Sequence, residues 1–179
     1  MKIANLLILL ATLGRLVPHP ANMTPVGAVS LVGGAKLNGL WRWATPFIAL
    51  ILSDLLLKIF FNVPPFSFQT LFVYAAFAVN IFLGRFISGN KRYLKLGGWC
   101  AAGSLQFFVL TNLAVWLEGF YPPTLAGLGQ CYVAAIPFLK NSLLGDLAWA
   151  YGLFAVIDRA QAWELRTRDQ GLGTTDLRV

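Results

Sequence analysis

The sequence predicts an all-α integral membrane protein: a bundle of six transmembrane helices with both termini cytoplasmic, and a short outer-face helix between spans five and six. Three observations predict it. Of 179 residues, 58% are hydrophobic and only 12% charged, against roughly 25% charged in an ordinary soluble domain. The apolar residues fall in long runs broken by short polar or proline-bearing turns, and mean hydropathy is +0.68. Lysine and arginine also cluster on one side of the turns those runs define.

Each span follows from a run and its stop. A crossing helix needs about 17–25 mostly apolar residues. The first covers residues 3–17 and ends at Pro18. The stretch "RLVPHPANMTP" turns the chain, and Pro25 suits the first turn of the next helix. Spans two and three cover 25–40 and 44–61; the third stops at "NVPPFS", because Pro64 and Pro65 cannot continue a helix. Span four covers 70–87 and span five 96–117. Residues 124–139 are weaker, interrupted by Gln130 and Pro137, and span six covers 142–157. The polar tail, 159–179, is expected to begin as a helical extension and then fray. Backbone polar groups cannot stay unpaired in lipid, so these runs are expected to be helices. The opening "MKIANLLILLATLG" resembles a signal peptide but has no good A-x-A cleavage site, so it is expected to stay as span one.

Charge placement decides the doubtful piece. With six spans and a cytoplasmic amino terminus, Lys2, Lys36, Arg42, Arg85, Lys91, Arg92, Lys95, Arg159, Arg166, Arg168 and Arg178 lie inside. Arg15, Lys58 and Lys140 lie outside, completing the 14 basic residues. The positive-inside rule is then strongly obeyed. A crossing at 124–139 would move the basic tail outside. That segment, with its approach, is therefore expected to be an outer lid, residues 120–139. The net charge of +7 marks topology and contact with anionic headgroups, and no nucleic acid is needed to explain it.

Polar side chains gather toward the outer ends of the spans: Arg15, His19, Asn22, Asp54, Asn112, Glu118, Asn141 and Asp146. The inner half holds fewer, chiefly Arg85 and Lys36. Ionisable groups within a membrane cost several kcal/mol unless paired or hydrated, so these should face the bundle interior. Asp54 and Lys58, at i and i+4, are spaced to pair on one helix face. Ser104, Thr111 and Glu118 share a stripe. The outer cluster reads as a solute pocket or as structural ion pairs; its bias to one side favours the pocket. Phe66, Phe68, Trp116, Phe120, Tyr121 and Tyr132 lie at the same level, as pocket walls or as an interfacial belt. Mixed charges favour a zwitterionic or polar ring-bearing solute.

The small-residue run "GAVSLVGGA", opened by Gly27 and closed by Ala35, allows close helix approach, either within the chain or against a membrane partner. "GGWCAAG", residues 97–103, is a second such patch. Cys100 and Cys131 show no metal-ligand spacing and are expected to be buried small hydrophobes. A single histidine does not make the usual His-rich zinc site, and no hydrolase, zincin or phosphate-loop motif occurs. The chain is therefore expected to be no enzyme, with no catalytic residue, resident metal or cofactor. The expected function is solute binding in membrane transport. The alternative is a non-catalytic structural or accessory subunit of a larger membrane complex.

"RLVPHPANMTPVGAVSLVGGA", "SDLLLK" and "TNLAVWLEGFYPPTLAGLGQCYVAAIPFLKNSLLGD", within residues 10–158, resemble a group of small bacterial membrane proteins. These are described as transport proteins similar to the substrate-binding S components of energy-coupling-factor (ECF) transporters. The resemblance implies a six-helix bundle in the bacterial cytoplasmic (inner) membrane and a vitamin-like solute bound from outside. It also implies a membrane coupling subunit with two ATPases. The chain carries no ATP-hydrolysing motif of its own, so active uptake would need those partners.

Overall fold

The computed structural model describes residues 2–173. Six helices follow one another: α1 Lys2–Leu16, α2 Val26–Lys36, α3 Leu40–Phe61, α4 Phe68–Gly84, α5 Arg92–Leu117 and α6 Leu125–Gly173. Their ends follow local chemistry. Asn62 takes the left-handed conformation (φ 55°) that closes α3 ahead of the two prolines, as Asn does more readily than most residues other than glycine. Ser67 and Thr70 form a reciprocal cap at the start of α4. Gly119, at φ 86°, turns the chain after α5.

Two elements differ from the sequence expectation. Span two, expected over 25–40, is an 11-residue helix, about 16 Å long at 1.5 Å per residue. Pro25 starts it. It ends at extended Leu37, and Gly39 at φ 57° opens α3. Arg42 holds this turn through Leu37 O and Asn38 Oδ1. The second difference is the outer lid. Residues 125–139 form no separate helix; they are the first turns of α6, which runs unbroken through Pro137. A proline removes one backbone donor and crowds the preceding turn, but neighbouring contacts hold the helix here. Tyr132 Oη donates to Val109 O at 2.8 Å and Cys131 Sγ to Asn112 O at 3.4 Å, so this half of α6 is docked on α5. Of the tail, the helix covers residues up to Gly173, and 174–179, Arg178 among them, lie outside the described residues.

Helix α2 is the axis of the bundle and packs against all five other helices. Nine consecutive residues, Val26 to Gly34, are buried. Gly34 lies against the Ile81 carbonyl and the Gly84 Cα, and Gly84 against the Leu31 carbonyl, so α2 and α4 meet backbone to backbone. Gly27 lies against Asp146 on α6. The small-residue run is thus spent within the chain, and residues 27–34 present no exposed face to a partner. Every other helix exposes large apolar side chains, such as Leu9, Ile59, Leu71, Leu94 and Val133. Among the described residues, Leu40–Phe61 and Arg92–Leu117 are long and apolar enough to cross a membrane. Cys100 and Cys131 are both free and buried.

Candidate functional site

The shortness of α2 creates the site. Hydrogen bonds fix the register of α5 against α6: Tyr132 to Val109, Ser104 to Asp146, and Tyr151 to Tyr93 O. The first turn of α2 lies against Asp146, at the level of Ser104. Helix α5 continues thirteen residues further, to Leu117, or about 20 Å. Over that distance no α2 fills the centre of the bundle.

The space is a cavity of about 380 Å³ to which all six helices contribute. Arg15 comes from α1, Val26 and Gly27 from α2, and Leu57 from α3. Val73, Phe77 and Asn80 come from α4, Phe107 from α5, and Ser142 and Asp146 from α6. His19, Asn22 and Thr24 come from the loop between α1 and α2. The side chains of His19 and Asn22 are exposed, so the cavity reaches the surface there.

That loop is drawn inward because two helices lack side chains where it passes. Pro25 sits against Gly14, and the Met23 backbone approaches within 3.2 Å of where a Gly145 Cβ would be. Asn22, at φ 63°, makes the turn, with Met23 N–H bonded to Pro20 O at 3.0 Å. Asn141 Nδ2 donates to Ala21 O at 3.1 Å and ties the loop to α6.

One wall is electrostatically complete. Arg15 Nη1 lies 2.7 Å from Asp54 Oδ1 and donates to Ser53 Oγ at 2.6 Å. Tyr74 Oη donates to Asp54 Oδ2 at 2.9 Å. The floor differs. Asp146, 7% exposed, has no ion-pair partner among the described residues. It accepts from Ser104 Oγ at 2.8 Å and lies against the start of α2. Pro25 gives that helix start no side-chain cap, so the carboxylate faces its positive end.

Four sequence-predicted residues therefore line one cavity: Arg15, His19, Asn22 and Asp146. Asp54 stands behind Arg15. Three fall elsewhere. Asn112 Nδ2 donates to its own helix at Phe108 O, and Asn141 binds the loop backbone. Glu118 is exposed and accepts from Gln69 Nε2 at 2.5 Å. The expected Asp54–Lys58 pair does not form: Arg15 claims Asp54, and Lys58 is exposed. Of the polar stripe, Ser104 is buried within α5, whereas Glu118, just past its end, is exposed. The aromatic walls are Phe77 and Phe107, 5.2 Å apart. Trp116 and Tyr132 instead bond backbone carbonyls between α5 and the start of α6.

Sequence reading missed Asn80. It lies mid-helix in the apolar run "AVNIF", and a lone amide inside such a run was the available signal. Its Oδ1 accepts from Gln106 Nε2 at 2.9 Å, a second mid-helix amide. Among the described residues, no three His, Cys, Asp or Glu side chains gather as a metal site would require.

The fold and cavity together define an all-helical bundle that is apolar outside and carries a polar-floored cavity inside. Residues 1–167 match the model of DUF6580, a family of unknown function, and the chain belongs to that family. No curated protein and no solved structure matches it.

Proposed function

We propose that this protein is a solute-binding membrane transport protein, similar in role to the S components of ECF transporters. The observation that carries the reading is the 380 Å³ cavity, with Asp146 and Asn80 in its wall. Ligand sites are concave, mostly apolar and furnished with a few placed polar groups. The exposed apolar side chains of five helices support a lipid environment, since patches of that extent are rare on soluble monomers. The half-length α2, ending at the cavity floor, is a device that membrane transporters use to aim a helix terminus at a solute.

In this reading the chain crosses the bacterial cytoplasmic membrane six times, with both termini inside. The solute enters from outside, past His19 and Asn22. The chain catalyses no reaction, so uptake against a gradient draws on a coupling subunit with ATPases. That partner meets exposed helix faces rather than the buried run at residues 27–34. Native mass spectrometry of protein released directly from its membrane tests the reading. A bound small molecule is expected in the natural protein, and its loss in Asp146→Ala. Protein that carries no molecule from any membrane preparation would count against transport and for the accessory-subunit alternative.

A further inference from the structure

Asn80 is 1% exposed and lines the cavity with its hydrogen bonds incomplete. Its orientation is fixed by a chain of necessity. The Ala76 carbonyl can only accept, so Gln106 must turn Nε2 toward it, at 2.9 Å. The same Nε2 meets Asn80 at 2.9 Å, so Asn80 must answer with Oδ1. Gly103 leaves the room: a Cβ there would meet Asn80 Oδ1 at 2.6 Å. Asn80 Nδ2 is thereby left as a buried donor with no partner. Such a group is costly unless something completes it.

The charges nearby narrow what that something is. The Arg15 guanidinium is already neutralised by Asp54. Asp146 is engaged by Ser104 and faces the positive end of α2. Inside the cavity the one guanidinium is thus paired, and the one carboxylate meets a hydroxyl and a helix end, while His19 stands exposed at the mouth. Asn80, with its unpartnered donor, and two aromatic rings stand in the cavity wall.

We infer that the site takes an uncharged, ring-bearing solute that presents a hydrogen-bond acceptor, a ring carbonyl or ring nitrogen, to Asn80 Nδ2. The ring packs against Phe77 and Phe107. This rests on the cavity being a solute site, and it sets aside a zwitterion.

Three bicyclic probes separate the classes: isoquinolinone (neutral, with a carbonyl), isoquinoline carboxylate (anion) and tetrahydroisoquinoline (cation). Calorimetric titration into the purified full chain should show isoquinolinone binding about tenfold more tightly than either charged probe, the scale of one hydrogen bond in a buried site. Asn80→Leu, of similar size but with no donor and no charge, should erase that preference. If it does not fold, Gly103→Ala keeps Asn80 while displacing its amide, and should weaken isoquinolinone by a similar factor. Tightest binding by a charged probe, no binding of isoquinolinone, or its unchanged affinity in the variant that folds, overturns the acceptor class. If the natural protein still carries a small molecule by mass spectrometry, those results overturn the class alone. If it carries none and no probe binds, the solute-site reading falls with it.

Discussion

The two ends of α2 solve opposite problems. At its carboxyl end, Lys36 pairs with Asp158 and stacks over the Phe154 ring at 4.1 Å. Arg92 Nη2 lies 3.0 Å from the other Asp158 oxygen, which also accepts from Tyr93 Oη. Cations there offset the negative helix terminus, and each carboxylate oxygen has a partner. At the amino end, Asp146 and Asn80 border an unfilled volume, and Asn80 Nδ2 has no partner at all. A protein that needed only to hold six helices together would close both ends alike. The difference marks the amino end as the one that waits for something.

The most damaging way to break the comparison is to open what is closed around the cavity. Asp54→Ala leaves the Arg15 charge uncompensated and should cost about 3 kcal/mol, read as a lower unfolding midpoint in detergent. Gly34→Leu forces α2 away from the Ile81 carbonyl and should cost about 2–3 kcal/mol by overpacking. Asp158→Asn should cost about 1 kcal/mol, because Arg92 leaves part of that cluster open to water, and should leave any bound molecule in place. The sharpest contrast comes from Asn80→Leu. Losing the unpaired Nδ2 offsets part of the loss of the Oδ1 bond from Gln106, which keeps its bond to Ala76 O, so stability should fall by no more than about 1 kcal/mol, yet solute retention should be abolished.

Acidity probes the closed end. Burial pushes the Asp158 carboxyl up, but hydrogen bonds from Lys36 and Tyr93 and the charges of Lys36 and Arg92 hold it below its ordinary value. Its contribution to stability is therefore present at neutral pH and disappears as pH falls through the lowered folded value. Unfolding midpoints measured from neutral to acidic pH should lose this component in Asp158→Asn.

Much of the fold was legible because helix ends are written locally. Pro25, "NVPPFS" and "EGFYPPT" each end or begin an element close to where the sequence places it. The length of α2 was not legible, since Leu37 and Leu40 beyond Lys36 let the apolar pattern be read on to residue 40, across the Asn38 and Gly39 turn that in fact ends it. The continuity of α6 was hidden for a related reason. Pro137 reads as a stop, but contacts of Cys131 and Tyr132 with α5 carry the helix through it. For the site, position along each span located Arg15, His19, Asn22 and Asp146. The same reasoning also picked out Asn112, Glu118 and Asn141, which stand outside the cavity lining, because depth says nothing about which way a helix face turns. It overlooked Asn80, whose role depends on Gly103, Gln106 and the Ala76 carbonyl together.

The central claim is that Asn80 Nδ2 faces a site completed by a solute. A crystal structure of the protein taken from its native membrane tests it most directly. The predicted result is density for a ring-bearing molecule in the cavity, with an acceptor atom about 2.9 Å from Asn80 Nδ2. A cavity collapsed to dryness, with Nδ2 bonded to a carbonyl of the chain itself, would contradict it.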